Sequence, residues 1–264
     1  MEVLSLGSGS SGNCFLISAD GAHLLVDCGV SRIDLDRHLT PRSIALNQIS
    51  ATVVSHEHGD HVRSLPRVQG RGVPVHGTRG TLHAVGCGRS AGVMADGKPV
   101  SISGFTVTAI SVSHDAAEPC GFAISRDGVR VVILTDAGRP EPHFLPYLAE
   151  AHLIVIEANH DRRMLRDGPY PEHLKRRIVS GNGHLSNNET GELLAAAIGR
   201  SESLPTIWLA HLSKTNNRPE IAVATVEQAL RSQGMNVTAA ALKPKGGETW
   251  PGPGVAQLGF RFDR

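Results

Sequence analysis

Aromatic residues are scarce. The 264 residues include 6 Phe, 2 Tyr and 2 Trp, which argues against a stacking platform of the kind that binds single-stranded nucleic acid. Cysteine is scarce too. Cys14, Cys28, Cys87 and Cys120 form no CxxC pair, and scattered thiols of this kind fit a reducing compartment. Neither sign of charge is in excess: 26 Lys and Arg stand against 25 Asp and Glu, for a formal net charge of +1. Bulk charge therefore does not call for nucleic acid, while a local basic patch remains open. No apolar run approaches the roughly 20 residues needed to span a bilayer. The opening Met1-Glu2-Val3-Leu4 has no basic or apolar leader character. The expectation is a cytoplasmic protein with no membrane partner.

What is abundant is histidine. There are 14, more than Phe, Tyr and Trp combined, an excess that points to metal or acid–base chemistry. With 40% apolar and 19% charged residues, a disordered chain or a coiled coil is excluded. The length suits one large domain or two small ones. No solenoid repeat or low-complexity linker divides it, so a single domain over residues 1–264 is expected. Residues 243–264, with Pro244, Gly246, Gly247, Pro251, Gly252, Pro253 and Gly254, read as a loop-rich, loosely attached tail with one strand at 257–262.

Apolar runs and turn signals predict strands at 3–6, 14–18, 23–27, 51–55, 73–76, several within 93–112, then 121–125, 129–135, 154–157, 206–211 and 237–242. Helices are expected at 33–39, 62–69, 78–84, 171–180, 188–198 and 221–233. Two sheets packed face to face with helices outside fit this order.

The densest polar cluster is Ser55-His56-Glu57-His58-Gly59-Asp60-His61, directly after a buried strand. Histidines two apart point one way only in an extended or turning segment, and Asp60 and His61 then follow from the turn. Such a fan of nitrogen and oxygen donors suits Zn(II), Mn(II) or Fe(II). The bland alternative is a solvated polar loop. Asp27, His114, Asp136, Glu157 and His211 each end an expected strand. Singly this is ordinary; together they collect at the strand ends, where α/β architectures bind ligands.

His56-x-His58-x-Asp60-His61, with Asp27 before it and His114, Asp136 and His211 after it, resembles the metallo-β-lactamase superfamily over roughly residues 1–233. The resemblance implies an α/β fold, an αββα sandwich of two mixed sheets with helices on the outer faces. It also implies two divalent metal ions, Zn2+ or Mn2+, at one edge. His56, His58 and His114 would hold one ion, and Asp60, His61 and His211 the other. Asp136 would bridge them, and Asp27 would orient the ligands from behind. Further segments are similar to the YycJ/WalJ-type branch: residues 6–14, Glu157-Ala158-Asn159-His160-Asp161, Tyr170-Pro171, Gly183-His184-Leu185-Ser186-Asn187 and His211-Leu212-Ser213. That branch implies a metal-dependent phosphodiester hydrolase acting on nucleic acid, DNA rather than RNA, as a 5′ to 3′ exonuclease.

Glu157-Ala158 and Gly183-His184 also resemble tRNA 3′-processing endonucleases of the superfamily, in which the Glu and His form a pair that helps the leaving oxygen depart. The implied catalytic set is Asp60, Glu157 and His184. The chain departs from those enzymes at Asn159-His160-Asp161 and lacks their long RNA-binding arm. Candidate substrate contacts are Ser10, His160 and Arg162. Ser10 lies in a Gly/Ser turn at 7–12 that is either a tight hairpin or, near the metals, a phosphate cradle. His160 and Arg162 belong to a loop expected to border the site. Arg162, Arg163, Arg166, Lys175, Arg176 and Arg177 form either a solvated helix face or a phosphate-binding strip. Two rival readings are a binuclear hydrolase of a small ester, such as a thioester, lactone or cyclic phosphodiester, and a non-hydrolytic metal protein of redox or regulatory type.

Overall fold

The computed structural model describes residues 1–88, 91–199 and 204–254. The first half of the chain builds one sheet from β1 (Glu2–Gly7), β2 (Cys14–Ala19), β3 (Ala22–Val26), β4 (Ala51–Val54), β5 (Val75–Thr78) and β6 (Gly92–Met94). The second half builds another from β7 (Pro99–Ile102), β8 (Phe105–Ser111), β9 (Cys120–Arg126), β10 (Val129–Leu134), β11 (Leu153–Glu157), β12 (Thr206–Ala210) and β13 (Ala239–Ala241). A last strand, β14 (Thr249–Trp250), returns to the first sheet. The orders are β14-β1-β2-β3-β4-β5-β6 and β13-β12-β11-β10-β9-β8-β7. Each sheet starts as an antiparallel meander and continues with parallel strands, β3 to β6 in one and β10 to β13 in the other. Parallel strands need crossovers. Those crossovers are α1 (Arg32–Leu39), α2 (Gly59–Val62), α3 (Leu65–Gln69) and α4 (Arg79–Ala84), then α5 (Leu145–Ala149), α6 (Arg162–Asp167), α7 (Glu172–Ile178), α8 (Asn187–Ile198) and α9 (Pro219–Ser232).

The period of two along each strand sorts its side chains between layers. Val131, Ile133, Leu153, Val155 and Trp208 face the other sheet in a core they share with Phe15, Val53, Phe105 and Phe122. Val132, Leu134, Ile154, Ile156, Ile207 and Leu209 face α8 and α9, packing on Leu194, Val226 and Leu230. On the far side, Leu16, Leu25 and Val54 pack against Leu35, Leu65 and Leu82 of α1, α3 and α4. The result is the expected αββα sandwich. Both faces of both sheets are covered, which is why β4 and β11 read as unbroken apolar runs.

Four expectations change. The single helix at 62–69 is two, because Ser64 turns aside to donate its Oγ–H to the Val30 carbonyl at 2.7 Å, and Pro66 has no N–H to continue the ladder. The strand at 73–76 sits two residues later, and its last residue, Thr78, caps α4 by accepting from the Thr81 N–H. Helix α6 was absent from the reading; Asp161 starts it by accepting from the Met164 N–H. The tail is not loosely attached as far as residue 254. β14 pairs with β1, and the buried Trp250 donates its Nε1–H to Thr206 of the second sheet. The strand expected at 257–262 lies outside the described residues. No described helix is long and apolar enough to cross a membrane.

Candidate active site

β4 ends at Val54, and the chain stays extended through His58 before α2 begins at Gly59. His56 and His58 therefore share a side, with ring centroids 4.7 Å apart. Asp60 and His61 follow from the first helical turn, where the His61 N–H donates to the His58 carbonyl at 2.8 Å. The loop after β3 straps this turn down. The Cys28 N–H donates to the His61 carbonyl, and the Asn13 N–H to that of Asp60. Gly29 passes so close that a Cβ there would stand 1.6 Å from the Asp60 carbonyl oxygen; no other residue allows the approach.

Three site residues at strand ends carry left-handed backbones: Asp27 (φ 57°), Asp136 (φ 56°) and His211 (φ 54°). This region is uncommon for residues other than glycine, with Asp and His among the more tolerant, and it turns the chain sharply where each strand leaves the sheet. The His211 turn is held from two sides. Its N–H donates to Ser8 Oγ of the β1–β2 turn, and its carbonyl accepts from Asn159 Nδ2, both at 2.9 Å. A residue of the first sheet's hairpin thus fixes a residue of the second sheet.

The donors converge. His61 Nε2 lies 3.0 Å from Asp136 Oδ2, and His211 Nδ1 3.3 Å from Asp136 Oδ1. His114 Nε2 lies 3.3 Å from His58 Nδ1, and His211 Nε2 3.4 Å from Asp60. Donor atoms fall within 4.8 Å of one another in four overlapping sets: His56, His58 and His114; His56, His61 and Asp136; Asp60, His61 and His211; Asp136, Glu157, His184 and His211. Among the described residues buried His56 Nε2 has no hydrogen-bond partner, and buried Asp136 Oδ2 meets only the His61 ring nitrogen. Polar atoms are seldom buried unpartnered. Facing imidazole nitrogens beside unpartnered donors are what a divalent metal would satisfy, so the residues fit one.

Carboxylates and a carbonyl behind the histidines set their tautomers. Asp27 Oδ2 accepts from His61 Nδ1 at 2.7 Å and from the Ser55 Oγ–H, while Asp27 Oδ1 accepts the Ser55 N–H. The Gly183 carbonyl accepts from His114 Nδ1 at 3.1 Å. Glu157 serves two rings: its Oε1 stands 2.8 Å from both His184 Nδ1 and His211 Nδ1, while Oε2 accepts the Ala137 and Leu185 N–H groups. Glu157 is fully buried, so it orients other groups and does not meet substrate. The sequence reading paired it with His184 and did not foresee His211.

Without metal, electrostatics follow these contacts. Burial disfavours a charged His61, but Asp27 and Asp136 outweigh it and raise the ring to about 10. Burial pushes His56 well below the usual range, and the neighbouring His61 adds to this. Burial opposes ionisation of Asp136, yet His211 and His61 hold it well below the carboxylate range. His184 is raised because Glu157 overcomes the cost of burial.

The cluster opens into a cleft of about 260 Å³. Its lining includes Ser10, Leu212 and Ser213 from the β1–β2 turn and the segment after β12, Asp115, Tyr170, Leu174, Arg177 and Ile178 from the segments after β8 and around α7, and the rings of His58, His114, His184 and His211. Of the three expected substrate contacts, the fold brings only Ser10 there. His160 is 2% exposed, bridged to Ser186 behind the cleft. Arg162 is ion-paired to Glu189 at 3.7 Å and does not line the cleft. The basic strip is also dispersed: Arg163 and Arg166 pair with Asp167, and Lys175 with Glu172. Ser8 belongs to the 7–12 turn expected as a hairpin or phosphate cradle, and here it holds the His211 backbone; the sequence suggested no role for Asn13, Asp115 or Asn159. Asn13 Nδ2 stands 3.0 Å from His61 Nε2 and donates to Asp60 at 3.4 Å. Its one sequence signal was a polar residue between a Gly/Ser turn and a buried strand.

Two sheets, outer helices and a histidine–carboxylate cluster at the strand ends define a metallo-β-lactamase-fold protein. The family model for the beta-lactamase superfamily domain matches residues 23–206. The chain is 33% identical over 239 residues to exodeoxyribonuclease YycJ of Bacillus anthracis, covering 88% of this chain and 90% of that one. It is 31% identical to exodeoxyribonuclease WalJ of Streptococcus pneumoniae, covering 88% and 89%. Among solved structures, Zn(2+)-bound PqqB from Methylobacterium extorquens superposes with a TM-score of 0.70 at 19% identity, over 95% of this chain and 99% of that one. The chain belongs to the metallo-β-lactamase superfamily, in the branch of the YycJ and WalJ proteins.

Proposed function

We propose that this protein is a metal-dependent phosphodiester hydrolase acting on nucleic acid, a DNA exonuclease of 5′ to 3′ type working as a single domain in the cytoplasm. The observation that carries the substrate class is the full-length likeness to two exodeoxyribonucleases.

In this reading His56, His58 and His114 would hold one divalent ion, and Asp60, His61 and His211 a second, with Asp136 available to both; Zn2+ and Mn2+ would both suit the donor set. When bound, such ions polarise a phosphoryl oxygen and make water acidic enough to attack near neutral pH. The chain's own residues do the rest. Asp27, Glu157 and the Gly183 carbonyl aim His61, His211 and His114 inward, so the donors are in place before substrate arrives. His184 keeps one proton on Nδ1 against Glu157, which leaves Nε2 facing the cleft. As imidazolium it gives the Nε2 proton to the departing oxygen of the nucleic acid strand. Ser10 offers a hydroxyl to the strand from the β1–β2 turn.

Digestion of end-labelled single- and double-stranded DNA and RNA with Mn2+ or Zn2+ tests the proposal. DNA shortening from the 5′ end supports it; rapid turnover of lactones or thioesters with no oligonucleotide cleaved overturns it. For the proton donor, His184→Ala is expected to keep its metal and lose about 10²–10⁴-fold in rate. The loss shrinks on a nitrophenyl ester, whose leaving group needs no proton. An equal loss on both substrates rejects the role.

A further inference from the structure

Six cations lie between residues 162 and 177, and among the described residues only Arg177 reaches the cleft. Its guanidinium is held in place there. Nε donates to Asp115 Oδ2 at 2.8 Å, and Nη2 stands 2.6 Å from the same oxygen as an ion pair. Nη1 has no partner among the described residues, so two N–H groups stay free. The other oxygen of Asp115 stands 3.3 Å from His114 Nε2. Asp115 therefore does two things: it sets Arg177 at a fixed offset from the donor cluster, and it offsets the positive charge that an arginine would otherwise bring beside bound cations. Planar guanidinium groups with N–H pairs to spare suit phosphate oxygens.

The cleft lining also has an apolar part from the same segment as Arg177. Tyr170, Leu174 and Ile178 come at intervals of four, so α7 and the residues just before it turn one side to the cleft. Tyr170 is the one Phe, Tyr or Trp among the described residues that lines it, in a chain with few such residues. Ser10, Leu212 and Ser213 carry no charge. A cation and an aromatic ring lining one cleft match the two parts of a nucleotide.

We propose that the cleft-facing side of α7, with Tyr170 before it, is a nucleotide subsite for the substrate strand. Arg177 binds a phosphate next to the one being cleaved, Tyr170 supports the attached base, and Asp115 is a positioning residue for Arg177. The subsite rests on the nucleic acid reading above and deepens it.

The test uses the metal-loaded full chain, with thermal midpoint and metal per chain checked for every variant. Arg177→Ala is expected to raise KM for an oligonucleotide about 10–100-fold, the range for losing a hydrogen bond to a charged group. It also lowers the salt dependence of binding by about one phosphate contact. Asp115→Asn has a smaller effect of the same kind, and Arg177→Lys recovers part of the loss. Tyr170→Ala raises KM, and Tyr170→Phe restores it. On bis(p-nitrophenyl) phosphate, which has neither a second phosphate nor a base, the Arg177→Ala loss is at least tenfold smaller.

Neutral methylphosphonate linkages, moved one position at a time along the strand, locate the phosphate. The unaltered protein is sensitive at one position where Arg177→Ala is not; sensitivity only to removal of a 5′-terminal phosphate assigns the contact to that end. Equal losses on both substrates, or a methylphosphonate profile unchanged by Arg177→Ala, overturn the subsite and leave the nuclease reading standing. If the unaltered protein cleaves no oligonucleotide, the nuclease reading falls and the subsite with it.

Discussion

The first sheet delivers His56, His58, Asp60 and His61 from a single turn, whereas the second delivers His114, Asp136, Glu157, His184 and His211 from separate strand ends and loops. The first group needs little more than β4, the start of α2 and the strap at Gly29. The second exists only when five segments are docked at once. Each half nevertheless uses the same device. A buried carboxylate at a strand end, Asp27 in one and Glu157 in the other, holds the Nδ1 of a histidine in the cluster. The halves differ in load: Asp27 aims His61 alone, while Glu157 aims His211 and His184 together.

Asp136 stands between the halves, touching His61 on one side and His211 on the other, so its loss has the largest expected effect. Asp136→Ala should reduce metal per chain, read by elemental analysis, and bring hydrolysis below detection. Retention of full metal content would mean that the halves bind independently.

The carboxylates come next. Asp27→Asn and Glu157→Gln should each weaken metal affinity about 10–100-fold, the usual cost of losing an orienting partner. They should then part company. Excess metal restores the rate of Asp27→Asn, but Glu157→Gln stays slow because His184 has lost its partner. If excess metal restores both, Glu157 acts through His211 only.

A pH titration of the metal-free protein separates the halves further. Asp27 and Asp136 overcome the burial of His61 and raise it from 6.5 to about 10. A raised value stabilises the fold fully below the unfolded value of 6.5, and that stabilisation disappears as pH climbs through about 10. The thermal midpoint should fall across this window, and Asp27→Asn should flatten the fall. Metal binding needs neutral imidazole, so affinity should rise with pH over the same range. A midpoint that rises with pH would contradict the His61 contacts.

The smallest effect belongs to Arg162→Ala. Its exposed ion pair with Glu189 is worth at most about 1 kcal/mol. It should change stability and KM far less than Arg177→Ala changes KM. A comparable rise in KM would return Arg162 to the substrate path.

Much of the architecture was legible before any coordinates. The apolar runs of buried strands, the Gly-rich turn signals between them and the dense His56–His61 run depend on neighbours in sequence, and neighbours are what a chain displays. The fold also brings Asp27, His114, Asp136, Glu157, His184 and His211 to one place, as the strand-end pattern and the family resemblance led one to expect. Other features depend on contacts between distant segments. The left-handed turns at Asp27, Asp136 and His211, the Ser8 and Asn159 grips on His211, and the Gly183 carbonyl behind His114 use backbone groups or common polar residues with no spacing signature. Six cations between 162 and 177 look alike as letters. Packing of α6 and α7 decides that Arg177 faces the cleft while Arg162 turns to Glu189, because a helix shows only one side to its neighbour. The sequence by itself determined which chemical groups were available and the local turn that bunches four of them. The tertiary structure decided which carboxylate serves which histidine and which arginine lines the cleft, since only docked sheets and helices bring such groups within hydrogen-bond range.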